Sequence, residues 1–593
     1  MKHPLITAGL LSAIGCCTSS AIAQTTPAAS NPAEQPAPAT AAGPGVIVPL
    51  PPPETLNGPQ QDKKPVFGNF QYDAGLPERA LDITVRSLYE NQQVRGPGGA
   101  SSFLESGSHW MHDLEINARQ PLGEWKTELN TLLRYADSRR YDPETWSLQR
   151  FQMIASDKKN HLTLGDYYAT LSQYSLNRAI KGVGYQRNLV QGDDSNYVRV
   201  VAGTFDARWD YLYASPKDEP IDRNVLGLRA QHAGENYRIG FNLVSADDRD
   251  NDPVRTTEDI FRQTLPALDW EYRTDSGARL SGEHAYADTT RKTVAGVTTQ
   301  LNGSAHRLSG DGTLGALRWR VRGERVSPNF YTMGGGAVLD RFRLYARGDL
   351  RLNKIWSVFV ADDWYRNNLD NQLTATTRTH IPELGLSARG LFDRRSLTLS
   401  TALRQRRIET DEPNYQQQVS DRIYFSFNDR IDQISMRGEI ETLINKQESS
   451  TTSRTVNDDR LYRFAIDSRH LFNEGRLDFR PYLTVDKQVI EDPLTGKSVI
   501  TQGTLLDLRL MTRNNLTYAL NLERRNTDNT VPGADSSRLR RVAASVTYRP
   551  VWLPNGNLRA EIGEANYDFS DQTKDYRERY LRLTLDVPFS LGK

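Results

Sequence analysis

From His109 to the C-terminus the chain repeats one texture: segments of about ten residues in which apolar and polar positions alternate, separated by turn-forming clusters. Leu317, Trp319, Val321 and Gly323 alternate with Arg318, Arg320, Arg322 and Glu324. Phe342, Leu344, Ala346, Gly348 and Leu350 alternate with Arg343, Tyr345, Arg347, Asp349 and Arg351. The last segment sets Leu581, Leu583, Leu585, Val587 and Phe589 against Arg582, Thr584 and Asp586. A period of two puts every second side chain on one face, so these segments are predicted to be β-strands with one apolar face.

Asp275-Ser276-Gly277, Asn473-Glu474-Gly475 and Asn555-Gly556 lie between such segments and favour antiparallel hairpins. Longer polar connections are expected at 245–263 and 446–459. Short turns at one end and long loops at the other are the plan of an outer-membrane barrel. The predicted fold class is therefore all-β: a transmembrane antiparallel β-barrel of about 24–26 strands, with a short N-terminal helical or plug segment. A soluble sandwich also alternates. Strand length matched to a tilted membrane span, the lack of a fixed-period repeat, and aromatic residues near segment ends (Trp110, Tyr237, Trp356, Tyr365, Tyr548) favour the membrane. Against the usual pattern, Ser590-Leu591-Gly592-Lys593 follow Phe589, so no aromatic residue ends the chain.

The N-terminus reads differently. Met1-Lys2-His3 is a short basic start, 5–17 is mostly apolar, and Ala21-Ile22-Ala23 provides small residues at a cleavage site before Gln24. Residues 1–23 are thus expected to be a signal peptide. A second reading takes Ala13-Ile14-Gly15-Cys16 as a lipoprotein box with Cys16 acylated. Residues 24–66, rich in Pro and Ala, are expected to be a disordered linker that reaches a periplasmic partner. In 67–108, Leu81, Val85 and Leu88 share a helical face and Gly96 to Gly99 breaks the chain, so this segment is predicted to be a short helix and a plug. The barrel is expected over 109–593.

Composition narrows the alternatives. Of 593 residues 37% are hydrophobic, too few for a bundle of membrane helices. The 74 basic residues nearly cancel the 73 acidic ones, which argues against a nucleic-acid partner. The two cysteines are Cys16 and Cys17, leaving no disulfide framework or Cys-ligated metal downstream. Outer-membrane lipid and the barrel-assembly machinery are the expected partners.

If the apolar faces meet lipid, the opposite faces line a lumen rich in arginine. The alternation assigns Arg229, Arg238, Arg318, Arg320, Arg322, Arg343, Arg347, Arg404, Arg406, Arg437, Arg463, Arg480, Arg509, Arg541 and Arg582 to it. A charge on the lipid face would cost about 2–4 kcal/mol at mid-bilayer. Two readings follow: an electrostatic filter for anions, or a wall of Arg–carboxylate pairs with Glu271, Glu324, Asp349, Glu439, Asp467, Asp478, Glu523 and Asp586 as partners. The similar numbers of acids on the same faces favour the paired wall.

One stretch departs from the ordinary strands. It runs Leu162-Thr163-Leu164-Gly165-Asp166-Tyr167-Tyr168, then Leu171-Ser172-Gln173-Tyr174-Ser175-Leu176 to Arg178 and Lys181-Gly182-Val183-Gly184-Tyr185. It resembles the L-x-x-G-D … S-L-x-x-R-x-x-x-G stretch of large SprA-type secretion barrels, and in general plan the chain is similar to the fimbrial usher barrel. That resemblance implies a secretion pore with a lumenal plug. Physically, Gly165 and Gly182 permit close backbone approach, and Asp166 with Arg178 is expected to form an inward ion pair at a constriction. An ordinary hairpin with a flexible tip is the alternative.

Enzyme signatures are missing. His109 and His112, three apart at a strand start, do not share a face, so no metal site is expected, nor any cofactor. There is no Gly-x-Ser-x-Gly elbow, phosphate loop or His-Glu-x-x-His. The loop acids Asp193-Asp194 and 247–250 are read as solvated charge. A barrel of this size would breach the membrane unless obstructed. The sequence therefore points first to a gated export or assembly channel for a protein or polysaccharide, plugged by 67–108. A passive or anion-selective porin comes second, and a barrel-anchored structural or adhesive protein third.

Overall fold

The structure, a computed structural model, describes residues 80–591 apart from 191–192, 206–207, 210–220, 251–257, 414, 451–453, 469–476 and 554. The expected signal peptide (1–23) and linker (24–66), with 67–79, lie outside the described residues. The rest is one 26-stranded antiparallel sheet. Each strand hydrogen-bonds to its neighbours in sequence. The first strand (Ala80–Arg95) also pairs with the last (Tyr576–Leu591) from Leu81↔Leu591 to Arg95↔Arg577. Closure leaves no edge strand unpaired, which is what makes so large an open-faced sheet viable.

The first strand corrects the helical reading. Leu81 and Val85 fit a helical stripe, but Leu81, Ile83 and Val85 also fit a strand row, and Ile83-Thr84-Val85 is a β-branched run. Backbone partners on both sides settle the ambiguity, because a helix here would leave two open edges. Only a short 3₁₀ turn, Gly99–Ser101, is helical between the first two strands. The barrel therefore begins at Ala80, not at His109, and 80–95 is wall rather than plug.

The two ends of the barrel differ. Connections at the end that holds the start of the first strand are as short as 123–124, 315–316 and 432–433, whereas 96–106, 137–145 and 327–340 lie at the other. Two expected long loops are shorter than supposed. Most of 245–263 and 446–459 is strand, because the ninth and tenth strands run to Asp250 and from Ile260, and the nineteenth and twentieth to Ser449 and from Thr455. Alternating polar residues extended these strands beyond their apolar rows.

Outward positions are apolar and bare. On the ninth strand (Tyr237–Asp250), Ile239, Phe241 and Leu243 are exposed while the alternate residues Asn242 and Val244 are fully buried. The same row continues on neighbouring strands through Leu226, Leu228, Leu268, Leu308, Val321 and Leu344. An apolar band of this extent around a closed sheet has no protein layer outside it.

Candidate functional site

The fifth (Asn160–Ser172) and sixth (Leu176–Val190) strands do not stay in the wall. The fifth pairs with the fourth (Trp146–Ser156) only from Gln152↔Gly165 to Ser156↔His161, and the sixth pairs with the seventh (Asp193–Thr204) only from Lys181 onward. Beyond those points the two strands pair with each other alone and turn into the lumen. Glycines make the departure possible. Gly165 has φ +94°, and a Cβ on it would stand 2.0 Å from the Phe151 carbonyl oxygen; one on Gly182 would stand 2.0 Å from that of Ala202.

Asp166 pins the hinge. It accepts from the Phe151 backbone N–H at 2.7 Å, from Lys181 Nζ at 2.6 Å and from Trp209 Nε1 at 2.5 Å. The expected Asp166–Arg178 pair does not form. Lys181 lies directly opposite Asp166 in the register, so it takes the carboxylate. Arg178, three residues nearer the tip, donates to the Met333 carbonyl at 2.9 Å and lies over the Phe205 ring at 4.2 Å.

A hairpin that leaves its sheet strands its backbone groups, and the inner face of the strands that follow it supplies the partners. Arg199 Nη1 donates to the Thr170 carbonyl at 3.1 Å and Arg229 Nη1 to that of Leu171 at 2.5 Å. Arg229 is oriented by Asp269, to which Nη1 and Nη2 donate at 2.6 and 2.9 Å. At the tip, the Gln173 and Tyr174 N–H groups donate to Glu283 at 3.2 and 2.8 Å, and the Tyr174 hydroxyl donates to Glu324 at 2.8 Å.

Apolar packing completes the dock. Ala169, Leu171, Leu176 and Ile180 pack on Val201, Val225, Val244 and Ala246, inward residues of the seventh to ninth strands. Tyr174 inserts among Leu265, Ala267, Ala285 and Phe330, with the Phe330 ring edge-on at 5.8 Å. The connection 327–340 folds over the tip. Thr332 Oγ1 donates to the Tyr174 carbonyl at 2.8 Å, Asn177 N–H to Gly334 O at 2.8 Å and Gly336 N–H to Gln173 O at 2.9 Å. A Cβ at Gly335 would come within 2.0 Å of the Tyr174 oxygen, which accounts for a glycine where the loop passes the tip.

A second inward contact lies beside the first strand. Tyr141, in the connection 137–145, donates to the buried Glu90, as does Arg582; Arg140 Nη1 donates to Gln92 at 2.7 Å. Next to it, Asp142 accepts from Arg208 at 2.7 Å, Ser147 Oγ at 2.8 Å and the Glu144 N–H at 3.0 Å. Burial raises the Asp142 pKa, but these hydrogen bonds and the Arg208 charge outweigh it and hold the carboxyl below its ordinary value. Burial and the neighbouring Glu90 push the Tyr141 phenol up.

The arginines assigned to the lumen stand opposite the exposed apolar rows of their strands, and most are paired. Arg238 reaches Glu271 (3.3 Å), Arg343 Asp363 (2.7 Å), Arg347 Asp349 (2.8 Å), Arg463 Glu439 (3.4 Å) and Arg480 Asp478 (2.6 Å). Arg509 reaches Asp507 (3.0 Å), Arg541 Glu523 (2.9 Å) and Arg582 Glu90. Arg320 and Arg322 also have partners. Among the described residues, Arg318, Arg404, Arg406 and Arg437 show no ion pair. Of the expected acids, Glu324 is taken by Arg341 and Tyr174, and Asp586 by Arg86. Among the described residues no group of three or more His, Cys, Asp or Glu is arranged to hold a metal ion.

Arg199, Asp269, Glu283 and the connection 327–340 escaped sequence reasoning, which also placed Glu324 only as an arginine's partner. One signal was available. Strands seven to twelve, the last of them Thr298–Leu314, carry apolar or small residues on both faces, as in Val200-Val201, Leu243-Val244 and Pro266-Ala267-Leu268. A strand apolar on both faces implies a second layer inside.

No protein family and no curated protein matches the chain. The resemblance of 162–185 to SprA-type translocons therefore rests on that stretch alone. Among solved structures, the chain is similar to the P pilus usher (PapC) translocation pore at 11% identity and TM-score 0.32, over 86% of this chain and 99% of that one. It is also similar to a BenF-like porin from Pseudomonas fluorescens at 10% identity and TM-score 0.29, covering 87% and 99%. Pseudomonas aeruginosa OprD aligns at 11% identity and TM-score 0.30, covering 63% and 96%. Likeness at this level concerns strand geometry and carries nothing about function.

Proposed function

We propose that the protein is an outer-membrane channel whose lumen is narrowed by the hairpin 166–181, with the passage running along the arginine- and carboxylate-lined inner face of the fourteenth (Arg341–Arg351) to twenty-sixth strands. The outward apolar band supports the membrane location, and the short-turn end, which holds both ends of the wall, is the periplasmic one. The carrying observation is the dry dock of the hairpin: Tyr174, Leu176 and Phe330 are fully buried inside the barrel. Burying side chains of this size stabilises by about 1.5–3 kcal/mol each. Together with the Arg229 and Glu283 contacts this supports a standing constriction over a freely swinging lid. A conduit for a hydrated polymer, such as an exported polysaccharide, fits the width a 26-stranded wall retains beside one hairpin.

Replacing 168–179 by a short Gly-Ser turn tests this. Single-channel conductance in planar bilayers should rise several-fold with steady openings in both forms, and equal conductance would refute the constriction. A gated export channel is the second reading, favoured by the glycine hinge at Gly165 and Gly182. Joining Gln173→Cys to Gly336→Cys, whose backbones already hydrogen-bond at 2.9 Å, separates the two while leaving the Tyr174 anchor in place. Oxidation leaves a standing constriction conducting as before and silences a gate.

A further inference from the structure

The open wall, away from the strands that receive the hairpin, holds a depression that the channel reading leaves without a role. We propose that it is a binding subsite for a sugar unit of a neutral glycan in transit; this rests on the reading of the chain as a channel. The depression lies on the inner face of the twenty-second (Lys497–Thr512) to twenty-sixth strands and has a volume of about 370 Å³, within the range of small-molecule sites. Its floor is set by the register of the twenty-third (Leu516–Asn529) and twenty-fourth (Ser537–Tyr548) strands. Thr517 faces Thr547, Ala519 faces Ser545 and Asn521 faces Ala543, so six adjacent inward positions carry short side chains.

The rim carries the opposite kind of residue. Arg509 with Asp507 stands on one side, Arg559 with Glu561 on the other and Arg541 with Glu523 above. The Tyr580 ring borders the depression, its hydroxyl donating to Glu561 at 2.9 Å. This chemistry selects. A guanidinium only donates and a carboxylate only accepts, whereas each sugar hydroxyl does both and can bridge the two. An anion would meet a carboxylate beside every guanidinium, so the rim does not favour phosphate or sulfate groups. Tyr580 contributes an aromatic ring on which the C–H face of a pyranose can rest, and the short floor leaves space for it.

The test uses the purified full-length protein with a glucose hexaose and an N-acetylglucosamine hexaose as neutral probes and a sulfated dextran oligomer as the anionic one. Calorimetry should show a neutral hexaose binding with a Kd of about 1 mM or tighter. Ala543→Trp, which fills the depression, and Asn521→Leu, which removes its polar floor group, should each weaken binding at least tenfold. Absence of binding by both neutral probes, unchanged affinity in both variants, or tighter binding of the sulfated oligomer would each overturn the proposal. Conductance measured on the same preparations separates the two readings. A conducting protein that binds no neutral glycan loses the subsite and keeps the channel, whereas a silent one loses the channel itself.

Discussion

The inner faces of strands seven to thirteen and of strands fourteen to twenty-six are built on the same alternation and do opposite things. On the first, Val201, Val225, Val244, Leu265 and Ala267 are buried under the hairpin. On the second, Arg347, Arg480 and Arg509 stand among carboxylates on a face that no described segment covers. Period-two alternation fixes which side chains share a face. What covers that face is decided by the residues placed on it, and this barrel uses one wall as a dock and the other as a solvated lining.

Substitutions can break that contrast. The largest effect is expected at Tyr174. Tyr174→Ala removes an aromatic ring from a closed apolar site and leaves Glu324 with Arg341 alone, a loss of about 3–5 kcal/mol in hairpin docking. Hydrogen exchange of 166–181 should rise sharply. Tyr482→Ala on the open wall, where the ring is exposed, should leave exchange unchanged.

Arginines sharpen the comparison. Arg229 is 3% exposed and holds both Asp269 and the Leu171 carbonyl, so Arg229→Ala should cost about 3–5 kcal/mol by leaving a carboxylate only 13% exposed with Asn242 and no guanidinium. The Arg480–Asp478 pair has an arginine 40% exposed, and Arg480→Ala should cost about 0–1 kcal/mol. Urea-unfolding midpoints of the two variants in detergent would show whether that gap exists.

Glycines carry the next contrast. Gly165→Ala puts a methyl group 2.0 Å from the Phe151 oxygen at positive φ and should destabilise by about 1–3 kcal/mol. At Gly348 the nearest atom to a Cβ is Leu317 Cδ1 at 3.4 Å, so Gly348→Ala should be close to neutral. Thermal midpoints of both variants check this.

The smallest effect is the response to pH. Asp142 has a lowered pKa, so its contribution is complete above the unfolded carboxylate value of about 4 and is lost as pH falls through the lower folded value. Protection of 137–145 from proteolysis should therefore hold at pH 5 and disappear only below about pH 4. Asp142→Asn should remove that acid step.

Much of the wall was legible in the chain and much of the dock was not, for a physical reason. Strand rows such as 317–323 and 342–350 announce themselves because lipid on one side and water on the other impose opposite chemistry on adjacent residues. The hairpin is a tertiary choice. Gly165 and Gly182 mark where the backbone can leave the sheet, yet the partners Glu283, Glu324 and Arg229 are distant in sequence, and only the register brings the first two to Tyr174 and the third to Leu171. The Asp166–Arg178 expectation failed on the same point, because Lys181 rather than Arg178 lies opposite Asp166. Within the first strand, Leu81 and Val85 satisfied two periods at once, and only closure onto the last strand decided between them.

Thiol accessibility tests the contrast between the two walls most directly. Val244→Cys and Ala267→Cys on the docking wall, and Ala519→Cys and Ser545→Cys on the open wall, would each be placed in a chain whose Cys16 and Cys17 are replaced by Ser. Reaction with a bulky, charged thiol reagent should modify residues 519 and 545 rapidly and leave 244 and 267 unmodified while the protein stays folded. Equal reaction at all four positions would mean that the hairpin does not seal its wall, and would contradict the division of the lumen described here.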